Sequence, residues 1–383
     1  GVREPGGFAV RRRRGEPGAV DRHLELQLDS TSRIGTSALT AGALRIGIDD
    51  HGFHVDTADI RARTWRVEAK GKIASDSTGS DTLTFRVVAD SLGAFDSILL
   101  DSAGAPRLEG LGGRLHVDHG TVIGSLASAS VVADFGATAF HAGTNSIGLL
   151  VGRVDLRGLP SRATGLISGT AYDVAVGTTV IDTASVSARL ADGDRARVAY
   201  RAATNAGVDA AGTADITWPD SIIVARVDSL AASVHGHAWH LATPATVRQR
   251  IGGFDLDSAV MVSDHGAAVT AGGTFPDQGA IEARAFVRGL GFEELAFVGL
   301  FPEDMSGLIN GSVTVSGTRD APVMDAVVTL DSILSAEMRR PSLTLDAHYA
   351  ARMAHVVLGA TIDRRKVFDV RGDVPLNLAL REV

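Results

Sequence analysis

The last part of the chain alternates between apolar and polar residues with a period of two. In residues 368–380, FDVRGDVPLNLAL, every even position is apolar or glycine and nearly every odd position is polar. Because successive side chains of a β-strand point to opposite faces, the pattern predicts a strand with one apolar and one polar face. Such a strand would extend over about 40 Å, well beyond an ordinary strand of about 5–6 residues. Its apolar face has to be covered by a core or by a bound guest.

The same alternation recurs along most of the chain. Helical periodicity is weak, and residues 90–103 and 290–304 each predict only a turn or two of helix. The sequence therefore predicts an all-β fold built on a mostly antiparallel sheet. The apolar residues that share a predicted strand face are Leu24, Leu26 and Leu28; Leu44, Ile46 and Ile48; Leu83, Phe85 and Val87; and Leu343 and Leu345.

One tripeptide, Asp-His-Gly, occurs at residues 50–52, 118–120 and 264–266, each time between two β-like runs. Aspartate can cap its own turn and glycine accepts a positive φ, so the tripeptide is typical of a tight hairpin. We expect His51, His119 and His265 at exposed hairpin tips. The three copies are unequally spaced, which indicates an irregular repeat.

Composition narrows the class of protein. Of the 383 residues, 45% are apolar, 44 are glycine and only 5% are aromatic, which suits many strands packed with small side chains. The net charge is −8, whereas a nucleic-acid-binding protein normally carries an excess of basic residues, so the charge argues against that class. The absence of cysteine excludes disulfides, thiolate metal ligands and cysteine nucleophiles. The sequence has no apolar run as long as a membrane-spanning helix.

Three regions are predicted from the composition and the alternation. Residues 1–22 are rich in Gly, Pro and Arg and are expected to be a disordered or linker-like basic segment, with a membrane or partner patch as the alternative. Residues 23–210 and 211–383 are expected to be two successive β regions. The start of the sequence resembles an internal stretch of a longer protein, so we expect this chain to be a fragment.

Candidate chemistry is sparse. In the run His235-Gly-His237-Ala-Trp-His240, two histidines share a strand face and His240 points to the other. A metal site needs three or four convergent ligands, and no further ligand lies nearby in sequence, so no metal site is predicted. Nucleophile-elbow, phosphate-loop and HExxH motifs are absent, which predicts a protein that is not an enzyme, with no catalytic residues and no cofactor. Carboxylates that are far apart in the sequence can come together in the fold, so a β-helix polysaccharide lyase remains an alternative.

Residues from about 210 to 380 resemble the C-terminal domain family of TamB, the translocation and assembly module subunit. Residues 239–247, WHLATPATV, are similar to the family segment Trp-x-Leu-x-x-Pro-Ala. Residues 307–323, GLINGSVTVSGTRDAPV, are similar to the more specific Gly-x-Leu-x-Gly-x-x-x-x-x-Gly-Thr-x-x-x-Pro signature, and the strand with Gly372-Asp-Val374-Pro375-Leu376 is the third point of likeness. Residues 24–210 share only the alternation, which AsmA-like proteins also have.

The resemblance implies an elongated, curved, mostly antiparallel β-sheet folded like a taco, a β-groove with an apolar concave face. It implies a periplasmic body, a parent protein anchored in the inner membrane, and an outer-membrane barrel partner of the TamA type. The implied activities are carriage of phospholipid between the inner and outer membranes and support of outer-membrane protein assembly, including autotransporters. Phospholipid acyl chains are then the expected partners, and nucleic acid is not.

The residues expected to line this lipid groove carry no chemistry beyond their apolar surface. Ordinary core packing is the competing interpretation for each of them, and the alternative function is a secreted structural or adhesive β-solenoid with a filled interior. A solenoid of that kind has a regular repeat of about 20–25 residues, which the sequence lacks. The expected groove residues are Val313, Val315, Leu343, Leu345, Phe368, Val370, Val374, Leu376, Leu378 and Leu380.

Overall fold

A computed structural model describes residues 22–34, 37–49, 52–75, 80–95, 111–177, 179–205, 207–219, 222–234, 236–294, 305–334, 341–362, 365–378 and 380. The predicted basic segment 1–22 lies outside this part of the chain except for its last residue. Contacts divide the chain into two units, Gly1–Ala196 and Arg197–Val383, and this division falls before the predicted boundary at residue 210.

The first unit is built from β-strands and one short 3-10 turn. That turn, Leu92–Phe95, lies within the first of the two segments expected to be helical. The strands are β1 (Arg22–Leu28), β2 (Arg33–Ile34), β3 (Ser37–Asp49), β4 (Gly52–Ala62), β5 (Trp65–Ala74), β6 (Thr82–Ala89), β7 (Gly112–Gly124), β8 (Ala129–Ala142), β9 (Asn145–Leu159), β10 (Thr164–Val176) and β11 (Thr179–Ala191).

The second unit is also built from strands, and β12 (Arg195–Ala203) crosses the division between the two units. The remaining strands are β13 (Val208–Thr217), β14 (Ile223–Val234), β15 (His237–Leu241), β16 (Ala245–Arg250), β17 (Gly253–Ser263), β18 (Ala268–Pro276), β19 (Glu282–Gly291), β20 (Ser306–Gly317), β21 (Pro322–Leu334), β22 (Pro341–Ala350), β23 (Met353–Ile362) and β24 (Arg365–Pro375).

Strands that follow one another in sequence pair antiparallel in both units, with few exceptions. β1 pairs with β3, and β14 pairs with both β15 and β16, which together occupy one position beside β17. Consecutive pairing by short turns gives an antiparallel meander, in which each strand can bury one face and leave the other solvated. The prediction of an all-β, mostly antiparallel fold is confirmed.

The first unit has one apolar and one charged sheet face. On the charged face, Arg45 bonds to Glu25 at 2.7 Å and Arg153 bonds to Asp134 at 3.0 Å, both across neighbouring strands. The apolar face carries small and branched residues that are mostly half-buried in the middle of the strands, although Gly120 and Ala133 are buried. One row of cross-strand neighbours on it comprises Leu44, Ala58, Ala69, Phe85, Gly120, Ala133, Val154, Ile167 and Ala188.

One end of this apolar face is closed by a compact cluster. Leu92, in the 3-10 turn, and Leu111, just before β7, are both only 7% exposed. They pack against Trp65 and Ala89, where β5 begins and β6 ends, and against Leu39 in β3. Leu92 and Leu111 therefore cover the ends of these strands and complete the hydrophobic core cluster of this unit.

The expectation for the second Asp-His-Gly tripeptide is wrong. Asp118, His119 and Gly120 lie inside β7, where the pairing shifts between Val117 and Gly120. Because β6 and β8 both continue past this point, the chain runs on and the extra residues form a β-bulge instead of a hairpin. Gly120 is not among the described residues with positive φ. It sits beneath the ring of Phe85, whose Cζ would lie 2.2 Å from an added Cβ.

The other two tripeptides do mark hairpins. β3 ends at Asp49 and β4 begins at Gly52, and β17 and β18 are joined through Asp264, His265 and Gly266. Gly52 and Gly266 both have positive φ, as expected, and His265 is exposed. His51 lies outside the described residues.

The predicted strand at 368–380 is wrong at both ends. β24 begins earlier, at Arg365, and ends at Pro375. Proline has no N–H to continue the ladder, so the pairing stops there although the alternation of apolar residues continues. Leu376 N still donates to Arg352 O at 3.1 Å, whereas Leu380 N donates to Arg319 O at 2.8 Å, at the turn between β20 and β21. The tail therefore crosses the strand ends.

Candidate functional site

The candidate site is the apolar face of β18 to β24, called the open face below. Its residues form rows of cross-strand neighbours. One row is Gly273, Ala283, Val315, Met324, Tyr349, Ala354 and Val374, and the next is Ala271, Ala285, Val313, Ala326, Ala347, Val356 and Gly372. Small residues alternate with branched ones, so the surface is apolar but shallow.

Seven of the ten predicted groove residues lie together on the open face. Val313 and Val315 belong to the two rows above, as does Val374. Leu345 pairs with Leu358, which pairs with Val370, and Leu343 pairs with Ala360, which pairs with Phe368. Because the pairing is in register across four strands, these side chains share one face with the two valines of β20.

The other three predicted residues, Leu376, Leu378 and Leu380, do not continue this face as a strand, because β24 ends at Pro375, and the predicted strand is corrected there. Leu378 N donates to the hydroxyl of Tyr349 at 3.1 Å, and Leu380 lies at the β20–β21 turn. Tyr349 is only 5% exposed although it belongs to the open face. The tail after Pro375 thus covers one end of the face.

The opposite end of the open face is closed by another segment. Phe292, which follows β19, is 1% exposed and its ring occupies the space above Gly307, where an added Cβ would approach the ring to 2.7 Å. Ile333, near the end of β21, is 2% exposed. Glu293 and Glu294 begin a 3-10 turn, as expected for the second weakly helical segment, whose residues 295–304 lie outside the described chain.

The middle of the open face is neither buried nor fully solvated. Val315, Leu343 and Leu345 are half-buried and Val313 is 36% exposed, while Phe368, Val374 and Val370, in the edge strand β24, are 40%, 43% and 56% exposed. A filled core residue is close to fully buried. Within the described residues, therefore, no second layer packs on the centre of this face.

The reverse side of the same strands is polar. His348 Nδ1 lies 2.6 Å from Asp325 Oδ1, and His355 Nδ1 lies 2.5 Å from Asp373 Oδ1. In β24, the hydrogen bond from Lys366 holds the pKa of Asp369 below its ordinary value. Among the described residues of these strands, the charged pairs lie on the reverse side, and the open face offers apolar contact.

A histidine cluster lies near the start of β15, and the sequence reasoning missed it. His237 Nδ1 lies 3.3 Å from His265 Nδ1, which lies 2.8 Å from Asp264 Oδ1. The three residues could hold a metal ion, since their ligand atoms all lie within 4.8 Å of one another. His240 points to the other face of β15, as predicted from its parity, and His235 is outside the described residues.

The comparisons with known proteins add no relative. The chain matches no protein-family model, no curated protein and no solved structure. Among the described residues, no helix combines the length and the apolar content that crossing a membrane requires.

Proposed function

We propose that this chain is part of a periplasmic TamB/AsmA-like protein that carries phospholipid along its apolar sheet face between the inner and outer membranes. The observation that carries the proposal is the half-exposed middle of the open face, bounded by closed ends. A surface of this kind binds acyl chains by contact alone. On this proposal the chain is not an enzyme, and it works with an outer-membrane barrel of the TamA type in outer-membrane protein and autotransporter assembly.

The energetics favour a shallow apolar track for such a cargo. Burying one CH₂ is worth about 0.8 kcal/mol, so moving a 16-carbon acyl chain through water costs on the order of 10 kcal/mol. A face of alanine, glycine and valine shields one side of the acyl chain from water along its length without enclosing the acyl chain. The lipid then avoids most of the cost without being held tightly at one point.

A filled β-solenoid is the alternative, and the exposures disfavour it. Such a fold would bury the centre of the apolar face and expose its margins. In the second unit the order is reversed along the strands, since Phe292 and Ile333 at one end are buried while Val313, midway along β20, is 36% exposed. A polysaccharide lyase would instead require carboxylates on a concave polar face, and the open face has none among its described residues.

The test is to place a charge on the open face, once in β20 and once in the edge strand β24. In Val313→Asp and in Val370→Asp, an ion faces the proposed acyl path, and burying an unpaired carboxylate is strongly unfavourable. We expect the crosslinking of a diazirine-acyl phospholipid, supplied in phosphatidylethanolamine vesicles, to fall at least tenfold. Because both positions keep access to water, circular dichroism and the melting temperature should show a folded protein.

Val327→Asp is the matched control. Val327 is 44% exposed, like its counterparts, but it lies on the reverse side of the sheet, opposite Ser312 and Asp346. Its crosslinking should stay near that of the unmodified chain. Undiminished crosslinking in folded Val313→Asp and Val370→Asp would refute the proposal, and unfolding of both would favour the filled solenoid.

A further inference from the structure

Two turns that are far apart in sequence meet beside β15. His237 is the first residue of β15 and follows the turn at Gly236, which has a positive φ of 87°. Asp264 and His265 form the turn between β17 and β18, closed by Gly266 with the same φ. Pairing of Trp239 with Ser263 brings the two turns side by side.

The backbone around these turns is held by several hydrogen bonds. Asp264 N donates to Ala238 O at 2.9 Å, which ties the β17–β18 turn to β15. Ser263, which is buried, accepts from Ala267 N through its hydroxyl at 3.1 Å. Below them, Trp239 packs against Ala267 and Leu290 in the core of the second unit. The backbones of the two turns are therefore held side by side without a ligand.

One ligand atom from each of His237, His265 and Asp264 lies within 4.8 Å of the other two. The 3.3 Å between His237 Nδ1 and His265 Nδ1 is close to the roughly 3.4 Å that two nitrogens about 2.05 Å from a tetrahedral Zn²⁺ would have. The 2.8 Å between His265 Nδ1 and Asp264 Oδ1 fits ligands of one ion at nearly a right angle. Two imidazoles and one carboxylate are a donor set suited to zinc, copper, iron or nickel.

Hydrogen bonds among these three side chains do not satisfy all three ligand atoms at once. A proton on His265 Nδ1 can point at the Asp264 carboxylate or at His237 Nδ1, and the two acceptors compete for it. A divalent cation takes one lone pair from each of the three atoms at once. The exposed side chains of His265 and Asp264 leave room for water at the remaining coordination positions.

We propose that His237, His265 and Asp264 form a site for a divalent transition-metal ion that joins the β14–β15 turn to the β17–β18 turn. The site is structural, because it ties two turns at the rim of the core cluster around Trp239. It goes beyond the lipid-carrying function proposed above and does not depend on it.

The test is titration of the metal-free chain with Co²⁺, followed by its visible absorption, and with Zn²⁺, followed by isothermal titration calorimetry and the melting temperature. We expect one high-affinity ion per chain and a higher melting temperature with Zn²⁺. His237→Ala and His265→Ala should each weaken binding at least tenfold and remove most of the thermal shift. Asp264→Asn, which keeps the side-chain shape, should weaken binding without unfolding the chain.

His119→Ala and His240→Ala are the matched controls. His119 belongs to the same tripeptide but lies in the β7 bulge, and His240 lies on the other face of β15. Both variants should bind as the unmodified chain does. The proposal is overturned if the folded chain takes up no Zn²⁺ or Co²⁺, or if folded Asp264→Asn and His237→Ala bind either ion with unchanged affinity.

Discussion

The closed ends and the open middle of the apolar faces are made of the same kinds of residue but differ in burial. At one end in the first unit, Leu39 is 2% and Ala89 1% exposed, whereas Val313, midway along β20 on the open face of the second unit, is 36% exposed. Both sets alternate with polar neighbours in sequence. Hydrophobicity therefore does not decide whether an apolar residue stabilises the fold or remains available for contact.

The difference comes from what covers each part. The ends are covered by connecting segments: the 3-10 turn at Leu92, the segment at Phe292 and the tail after Pro375. The described residues of these segments pack on the strand ends and not on the strand centres. The stability of each unit should depend on its ends, and contact with a guest should depend on its middle.

The largest effect is expected from Trp65→Ala. Trp65 is 6% exposed and packs against Leu39 and Leu92 in the end cluster. Removing a buried tryptophan leaves a cavity and costs about 3–5 kcal/mol in the free energy of unfolding. Urea denaturation measures this loss.

Phe368→Ala is the comparison from the open face, since Phe368 is 40% exposed. Its loss of stability should be about 1 kcal/mol or less, because much of the ring already contacts solvent. Equal losses in the two variants would show that the middle of the face is as well packed as the ends.

An intermediate effect is expected from Gly120→Ala in the middle of the first unit. An added Cβ would meet the ring of Phe85 at 2.2 Å, so the ring has to leave its place on the apolar face. Overpacking of this kind costs about 1–3 kcal/mol. Gly169→Ala is the control on the same face, where the nearest atom would be at 3.4 Å and the change in stability should stay within about 0.5 kcal/mol.

The double variant Phe85→Ala with Gly120→Ala tests the cause. If the ring is the obstacle, adding Gly120→Ala should cost less once Phe85 is already truncated, giving a coupling energy of about 0.5–3 kcal/mol. Strictly additive losses would mean that the backbone at the bulge, not the ring, requires glycine.

Much of the strand pattern and the facing of its side chains could be predicted from the sequence. Period-two alternation is a local property, and it placed Val313, Leu345 and Val370 on one face correctly. The end of β24 and the bulge at Asp118 could not be predicted from alternation, because the pattern runs on through both. The missing N–H of Pro375 was a signal for the end of β24. The bulge at Asp118 depends on the lengths of the neighbouring strands, which the local pattern does not contain.

A smaller effect is expected from Tyr349→Phe, which loosens the tail that closes one end of the open face. The Tyr349 hydroxyl accepts from Leu378 N and donates to Leu376 O at 3.5 Å. Losing these bonds should cost about 1 kcal/mol. Hydrogen exchange at the Leu378 amide should become faster, while the amides of β21 keep their protection, and unchanged exchange at Leu378 would show that the hydroxyl does not hold the tail.

The proposed metal site shows the limit of sequence reasoning about sites. His237 and the tripeptide at 264–266 were each visible, but 28 residues separate His237 from His265, and only the β15–β17 pairing brings them together. A spacing rule looks for ligands along one segment. Here the ligands lie on two turns of neighbouring hairpins, which requires the register of the sheet.

The smallest effect is expected on the charged face, from Asp59→Asn. Hydrogen bonds from Arg61 and then Arg66 hold the pKa of Asp59 far below its ordinary value. A carboxyl with a lowered folded-state pKa stabilises the fold above its unfolded pKa of about 4 and loses that contribution as the pH falls toward the folded pKa. Because Arg61 and Arg66 are well exposed, the loss at pH 7 should be at most about 1 kcal/mol. The difference in melting temperature between Asp59→Asn and the unmodified chain should shrink between pH 4 and pH 2, and salt should reduce it at pH 7. A difference as large as that of Trp65→Ala would mean that the charged face, and not the closed ends, holds the first unit together.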